Sequence, residues 1–384
     1  MNCLRHLYSL PDEVRYLNNA YQSPMSKRVQ EAGRDAIARL GNPSTLSSSD
    51  FFEPADALRR AFASLIGSSD WESVAFIPAA SYGMATVATN VPLKPQQNVV
   101  ILGEQFPSNV YVWRRVCKER NAVLRTVAPP ESGRDRGLRW NESLLDAIDS
   151  DTAVVSIPNI HWSDGTLFDL DAIGARCRDV GSIFIVDGTQ SVGALPLNVN
   201  ELGIDALVCA AYKSLTGPYG LGLAYYGPRF HTANPIEDNW IVRAGSEMFA
   251  GLVNYVDEFQ PGAKRLDMGG YSSFTLLPML ATAVDQVSEW TPEGIQSYCR
   301  GLTDALAESA EALGYVVEDR SHRVGHIVGL RMPAGIDTEL VRSRLQERNI
   351  FVSIRGQALR VAPHVYSRMA DIEALIDVLE ASLA

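Results

Sequence analysis

The stretch CAAYKSLTGPYGLG, residues 209–222, joins an apolar run to a loop rich in glycine and proline, with one lysine at the junction. The run before it, Ala206–Tyr212, is continuously apolar, the pattern of a short strand buried on both faces. Gly217, Pro218 and Gly220 stop that strand. Lys213 therefore falls just past the C-terminal end of an interior strand, the edge at which open α/β sheets bind ligands. Taken alone it reads as a surface lysine on a loop. The rest of the chain weighs against that reading.

Working outward, β-type runs recur at Ser73–Pro78, Asn98–Gly103, Val123–Val127, Ala153–Pro158, Ser182–Asp187, Ala206–Tyr212 and Gly222–Tyr226. Helical patterns lie between them at Glu53–Ile66, Ser108–Glu119, Trp140–Ile148 and Leu170–Asp179. This alternation predicts an α/β fold with a mainly parallel sheet flanked by helices. Beyond about residue 262 the pattern changes. Helices at Leu276–Trp290, Pro292–Leu313, Thr338–Arg348 and Ala370–Ser382 mix with short strands at Tyr315–Glu318, His326–Met332, Phe351–Ile354 and Leu359–Val361, a smaller α+β domain. The expected division is a large domain over 21–261 and a small one built from 1–20 and 262–384, with the N-terminal stretch packed on the latter.

At 384 residues the chain is long enough for two domains and a large core. A net charge of −11 argues against nucleic acid and anionic membranes as main partners, so an anionic ligand needs a local site. No apolar run is long enough to span a membrane, and MNCLRHLYSLPDEVRYL lacks the apolar core of a signal peptide. The five cysteines are scattered without a CxxC, which points to a reducing cytoplasm. His161, His322, His326 and His364 have no metal-ligand spacing, so no metal is expected.

Four further segments carry site chemistry. Asp187 ends the apolar run SIFIV; it reads either as a helix N-cap or as a carboxylate paired with a cation, since a buried one is costly unpaired. It lies one predicted strand before Lys213, so the two strand ends present an acid and an amine to one cleft. The turn AASYGMAT, 79–86, opens a helix of small residues whose free N–H groups favour an anion, most often phosphate; a plain cap by Ser81 is the alternative. In EQFPSN, 104–109, Phe106 is pinned by a proline at a strand end and is placed either to stack on a flat ligand or to staple the following helix. In SIRGQALRVAPH, 353–364, Arg355 and Arg360 flank a glycine turn, and arginine suits bidentate carboxylate binding.

An amine for an aldehyde, an acid for a ring cation, backbone donors for a phosphate and an aromatic for stacking are together what pyridoxal phosphate needs. DGTQS at 187–191 with YKSLTGPYG at 212–220 resembles the fold-type I, class V pyridoxal-phosphate enzymes: class V aminotransferases, cysteine desulfurases and kynureninases. The resemblance runs from YLNNA at 16–20 to Arg360 and beyond. It implies the cofactor pyridoxal 5'-phosphate and the PLP-dependent transferase fold. Lys213 resembles the Schiff-base lysine, Asp187 the partner of the pyridine nitrogen and Gln190 the contact of the phenolic oxygen. Phe106 resembles the stacking aromatic, Ala80 and Ser81 the phosphate turn, and Tyr212 a second phosphate contact of kynureninases. Arg360 resembles the binder of the substrate α-carboxylate, with Arg355 as its understudy, and His161 or Trp162 falls near a substrate-binding asparagine of relatives. Ser272 or Ser273 stands in for a threonine, replaced here by Gly270, that reaches the phosphate of a partner subunit, which implies a homodimer with shared active sites.

One departure matters. Desulfurases carry a nucleophilic cysteine shortly before the carboxylate arginine, and 351–360 contains none. The resemblance implies an enzyme acting on an amino acid or primary amine through an external aldimine, with transamination as the leading reaction. C–S elimination, kynureninase-like hydrolysis and epimerisation are the alternatives, and a non-catalytic regulatory protein the reading from a different class.

Overall fold

Val99 and Ile101 point to one side of their strand, Val100 and Leu102 to the other, and all four are buried. A strand apolar on both faces is stable only between two layers, each such side chain contributing about 1.5–3 kcal/mol on burial. The computed structural model, which describes residues 1–383, builds those layers. In chain order the first strands are β1 (Arg15–Tyr16), β2 (Val74–Ile77), β3 (Asn98–Leu102), β4 (Val123–Val127), β5 (Thr152–Pro158), β6 (Ile183–Asp187), β7 (Ala206–Ala210) and β8 (Gly222–Tyr226). Seven of them form one sheet in the order β2-β8-β7-β6-β5-β3-β4. Only β8 runs against the others, so the C-terminal ends of the remaining six share one edge.

Helices cover both faces. They begin with α1 (Lys27–Leu40), α2 (Glu53–Leu65), α3 (Ala80–Asn90), α4 (Tyr111–Arg120), α5 (Arg136–Ala147), α6 (Leu170–Val180), α7 (Val199–Leu202) and α8 (Leu276–Trp290). Leu58 and Phe62 of α2, Trp140 of α5, Ile173 of α6 and Leu277 and Leu280 of α8 pack on one side with Val100, Val155 and Phe184. Met84 of α3 and Trp113 of α4 pack on the other with Val99, Ile101 and Ile185. The expected mainly parallel α/β sheet is therefore present.

The chain then adds α9 (Pro292–Ala312), β9 (Val316–Val317), β10 (Val328–Arg331), α10 (Thr338–Glu347), β11 (Ile350–Phe351), β12 (Ser353–Arg355), β13 (Ala358–Val361) and α11 (Met369–Ala381). A four-stranded antiparallel sheet, β12-β13-β10-β9, packs against α9, α10 and α11. The N-terminal stretch lies here: β1 pairs in parallel with β11, and the Asn19 amide donates to the Ala362 carbonyl. The expected small-domain range ends at Ala384, which is outside the described residues. Among the described residues no helix is long and apolar enough to cross a membrane.

Several expected boundaries move for local reasons. The strand before Lys213 stops at Ala210, because the Gly217 amide turns back to the Ala211 carbonyl and the Thr216 amide to that of Lys213. The helix expected from Ser108 starts at Tyr111, because Asn109 is drawn inward: Ser156 Oγ and Trp113 Nε1 both donate to its Oδ1. The single strand expected over Phe351–Ile354 is two, since Ile350–Phe351 pairs with β1 and Ser353–Arg355 with β13. Helix α1, capped by Ser26 through the Val29 amide, had no counterpart in the sequence reading.

Candidate active site

Because β6 and β7 are neighbours, with Asp187 level with Val208, the acid and the lysine emerge side by side. They face a cavity of ≈ 250 Å³ at the shared C-terminal edge. Its lining includes Ala80, Ser81, Phe106, Trp162, Asp187, Gln190, Tyr212 and Lys213, eight residues singled out from sequence, together with Thr189 and Tyr219, which were not.

Lys213 is only 6% exposed. Burial disfavours its charged form and holds the amine at about 8, against the pull of Asp187, while Arg360 and Arg355 push it further down. Its Nζ lies 5.3 Å from the centroid of the Phe106 ring and 5.7 Å from that of Tyr212. The loop after it turns at Gly220, whose φ of +91° is open to glycine at no steric cost. Asp187 accepts from the Thr189 amide at 3.0 Å and caps no helix, since the chain after it runs through turns. Burial raises its carboxyl above the usual range, the state of an acid that lacks a full cationic partner.

Gln190 donates from Nε2 to the Ala20 carbonyl at 3.2 Å, and its Oε1 is buried without a partner. His326 Nε2 lies 2.7 Å from the Gln190 carbonyl and fixes its backbone from the small sheet's side. At the phosphate turn the cap residue of α3 is Ala79, which has no side chain to satisfy the first amides, and Ser81 lies inside the helix. The N-terminus of an eleven-residue helix thus opens its free donors and its dipole to the cavity. Phe106, 40% exposed, meets the Trp162 ring edge-on at 5.6 Å instead of stapling a helix.

Arg360 sits behind Trp162, 1% exposed. Its donors reach the Trp162 carbonyl at 2.7 Å, Ser353 Oγ at 3.3 Å and Asn18 Oδ1 at 3.5 Å, all neutral oxygens, and Nε has no acceptor. Burial and the neighbouring Arg355 hold this guanidinium down at about 10. A buried arginine with open donors and only neutral partners is suited to an incoming carboxylate. Arg360→Ala is expected to weaken α-amino-acid binding ten- to hundredfold, as befits the loss of a charge-assisted pair of about 1.5–3 kcal/mol. The cofactor spectrum should be unaltered; an equal loss for amines without a carboxylate would count against the assignment.

Not every sequence candidate lines the cavity: Arg360 and Arg355 stand beside Trp162, outside that lining. His161 is fully buried behind it, held by Ser163 Oγ at 2.8 Å and the Glu104 carbonyl at 3.1 Å and packed on Trp140. Trp162, donating to the same carbonyl at 2.7 Å, is the one of the pair that lines it. Ser273 Oγ accepts from the Leu276 amide at the start of α8, and Ser272 lies in a separate depression with Asp35 and Arg39, away from the Lys213 cavity of their own chain. Asn18, Thr189, Ser353 and His326 position Arg360, Asp187 and Gln190; the first three lie inside YLNNA, DGTQS and SIRGQALR, but the sequence alone assigned none of the four this part.

The class V aminotransferase family matches residues 15–383. The chain belongs to it. Among relatives, an uncharacterized aminotransferase of Bacillus subtilis, YcbU, is 24% identical over 98% of this chain and 96% of its own. The isopenicillin N epimerase of Streptomyces clavuligerus is 24% identical over 84% of this chain and 83% of its own. Among solved structures, the apo cysteine desulfurase of Thermococcus onnurineus NA1 superposes with a TM-score of 0.83 at 18% identity, covering 99% of this chain and 98% of that one. The cystine C-S lyase C-DES, in complex with cysteine persulfide, gives 0.85 at 17% identity over 96% and 98%. At those identities the structures share the fold alone.

The family's cofactor is pyridoxal 5'-phosphate, and the residues present fit it. The uncapped N-terminus of α3 suits the phosphate, Asp187 the pyridine nitrogen, the orphaned Gln190 amide the phenolic oxygen and Lys213 the aldehyde. The protein is thus a pyridoxal-phosphate enzyme acting on an amino acid or primary amine.

Proposed function

We propose that the protein is an aminotransferase acting on α-amino acids. The observation that carries the reading is the lining of the cavity, in which Lys213 is the one amine and Asp187 the one carboxylate. The bound cofactor supplies an electron sink for the Cα–H electrons. Arg360 orients the substrate by its carboxylate, so that the Cα proton faces Lys213. With the cofactor held at α3, Asp187 and Gln190, Lys213 would be the base that accepts the Cα proton and the acid that gives it up again, a single group serving both transfers. Hydrolysis and two-base epimerisation each ask for a further acid or base, and elimination asks for a leaving group on the substrate's β-carbon. Beyond the amine and the carboxylate the polar groups of the lining are neutral: the Gln190 amide, the Trp162 indole and hydroxyls, of which that of Tyr212 is pushed up by burial and made a weaker acid.

The same reading excludes a persulfide. The β12–β13 hairpin holds no cysteine, and Cys117, Cys177, Cys209 and Cys299 are buried. Burial raises all four thiols, that of Cys177 to about 12, far from a thiolate nucleophile. No single Cys→Ser substitution, Cys3 included, is expected to abolish activity. Incubation with cysteine should leave no enzyme-bound persulfide and no stoichiometric alanine.

The proposal extends to a cytoplasmic homodimer in which Ser272 or Ser273 serves the partner's phosphate site, and to the two-domain division at residues 20 and 261. The decisive experiment is a panel of amino acids with mass detection. An oxo acid formed with one equivalent of pyridoxamine phosphate is expected. Pyruvate with sulfide, or racemised substrate, would replace transamination by elimination or epimerisation.

A further inference from the structure

Most buried arginines of this chain have an acid of their own. Arg59 is paired with Asp267 at 2.7 Å, Arg136 with Asp164 at 2.9 Å and Arg323 with Asp304 at 2.6 Å. Arg355 and Arg360 differ. Among the described residues neither has a carboxylate within ion-pair reach. The hydrogen bonds of Arg360 go to neutral oxygens, and that of Arg355 goes to its neighbour, the Ile354 carbonyl, at 3.0 Å. The Nε of each is buried without an acceptor. In a chain of net charge −11, acids are not scarce.

The fold brings the two together. In the β12–β13 hairpin Ser353 is level with Arg360 and Arg355 with Ala358. Side chains two apart on one strand, and those directly opposite, share a face, so Arg355 and Arg360 project from the same side. That side meets Trp162. The Arg355 Cζ lies 5.5 Å from the indole centroid and the Arg360 Cζ 5.9 Å. The indole continues to Phe106 at 5.6 Å and, through it, to the Lys213 amine. Both guanidiniums are felt at that amine, which each of them pushes down.

Two like charges beside one ring repel, and cation–π contact, about 0.5–2 kcal/mol, does not neutralise either. A lone α-carboxylate provides one negative charge and saturates one guanidinium fork. Arg360, fully buried in the middle of β13, suits that group. Arg355, half-buried at the turn, is left for something further along the substrate. We propose that the natural substrate is an amino acid with a second acid group on its side chain, with Arg360 holding the α-carboxylate and Arg355 the distal acid. This rests on the reading of the site as one for α-amino acids and adds the class of side chain.

The test uses the holoenzyme and unreactive acids that lack an amine. Succinate and glutarate are titrated against butyrate and pentanoate of matching length, by calorimetry and by tryptophan fluorescence. Each diacid is expected to bind roughly tenfold or more tightly than its monoacid, the value of one charge-assisted pair. Arg355→Ala should bring the diacid down to the level of the monoacid, and Arg355→Lys should restore part of the difference. Thermal melts verify that the variants fold; should Arg355→Ala not fold, Arg355→Gln replaces it. Equal binding of diacid and monoacid by the native enzyme, or discrimination that survives loss of Arg355, would overturn the second acid. Borohydride fixation of the cofactor to Lys213, run on the same preparation, tests the underlying reading separately. Fixation without diacid discrimination removes only the side-chain assignment, whereas no fixation removes the parent reading.

Discussion

Lys213→Ala is expected to lower turnover by roughly four orders of magnitude, the scale on which a positioned acid–base group and nucleophile are lost together. The cofactor should still bind, because the uncapped N-terminus of α3, and not the lysine, would hold its phosphate. Borohydride should fix the cofactor to the peptide containing Lys213 in the native enzyme and to nothing in the variant. Fixation at Lys264, which packs on Trp71 and pairs with Asp56, would refute the assignment. The amine's depressed affinity for protons gives a second signature. Held at about 8 instead of 10.5, it has a neutral fraction at pH 7.5 about two orders of magnitude larger than an ordinary lysine. Capture of cofactor by the stripped protein should therefore rise with pH up to about 8 and then level off. A rate still climbing at pH 10 would mean that burial does not tune this amine.

Asp187→Asn is expected to slow solvent exchange of the substrate Cα proton at least a hundredfold. The carboxylate would hold a proton on the pyridine nitrogen, and that cation would make the ring a strong electron acceptor. Asparagine fills the same volume and keeps the contact to the Thr189 amide, but it carries no charge to hold that proton. Cofactor retention should weaken as well, by roughly ten- to a hundredfold for the loss of a charge-assisted hydrogen bond of about 1.5–3 kcal/mol. Exchange at the native rate would sink the role. The burial that raises the carboxyl of Asp187 lets a ring cation be recognised strongly there, since in a dry site an unpaired acid gains most from its partner.

Arg355 links these expectations to substrate choice. An enzyme whose second arginine reads a distal acid should separate aspartate or glutamate from alanine by that residue, while Lys213 and Asp187 act on all of them alike.

The amino-acid sequence by itself determined the layers and the chemistry of the cleft. Seven short apolar runs separated by helical stretches leave few architectures that bury both faces of each strand, and the mainly parallel sheet follows from them. Lys213, Asp187, Phe106 and the small residues at 79–81 were legible because each follows directly on an apolar run, and the end of a parallel strand is a place that local pattern can locate. The resemblance carried by DGTQS and YKSLTGPYG supplied their roles. Tertiary structure alone decided what lies far apart in sequence. Arg360 is held by Asn18, more than three hundred residues away, and by the carbonyl of Trp162, and His326 reaches Gln190 across the two sheets. It also separated His161 from Trp162, adjacent in the chain: one turns inward onto Trp140 and the other lines the cavity. No spacing rule distinguishes them, because the sense in which a loop residue points is set by what packs beneath it. The open charge of Arg355 and Arg360 belongs to the same class. A sequence shows which cations a chain has; only the fold shows which of them its own acids cannot reach.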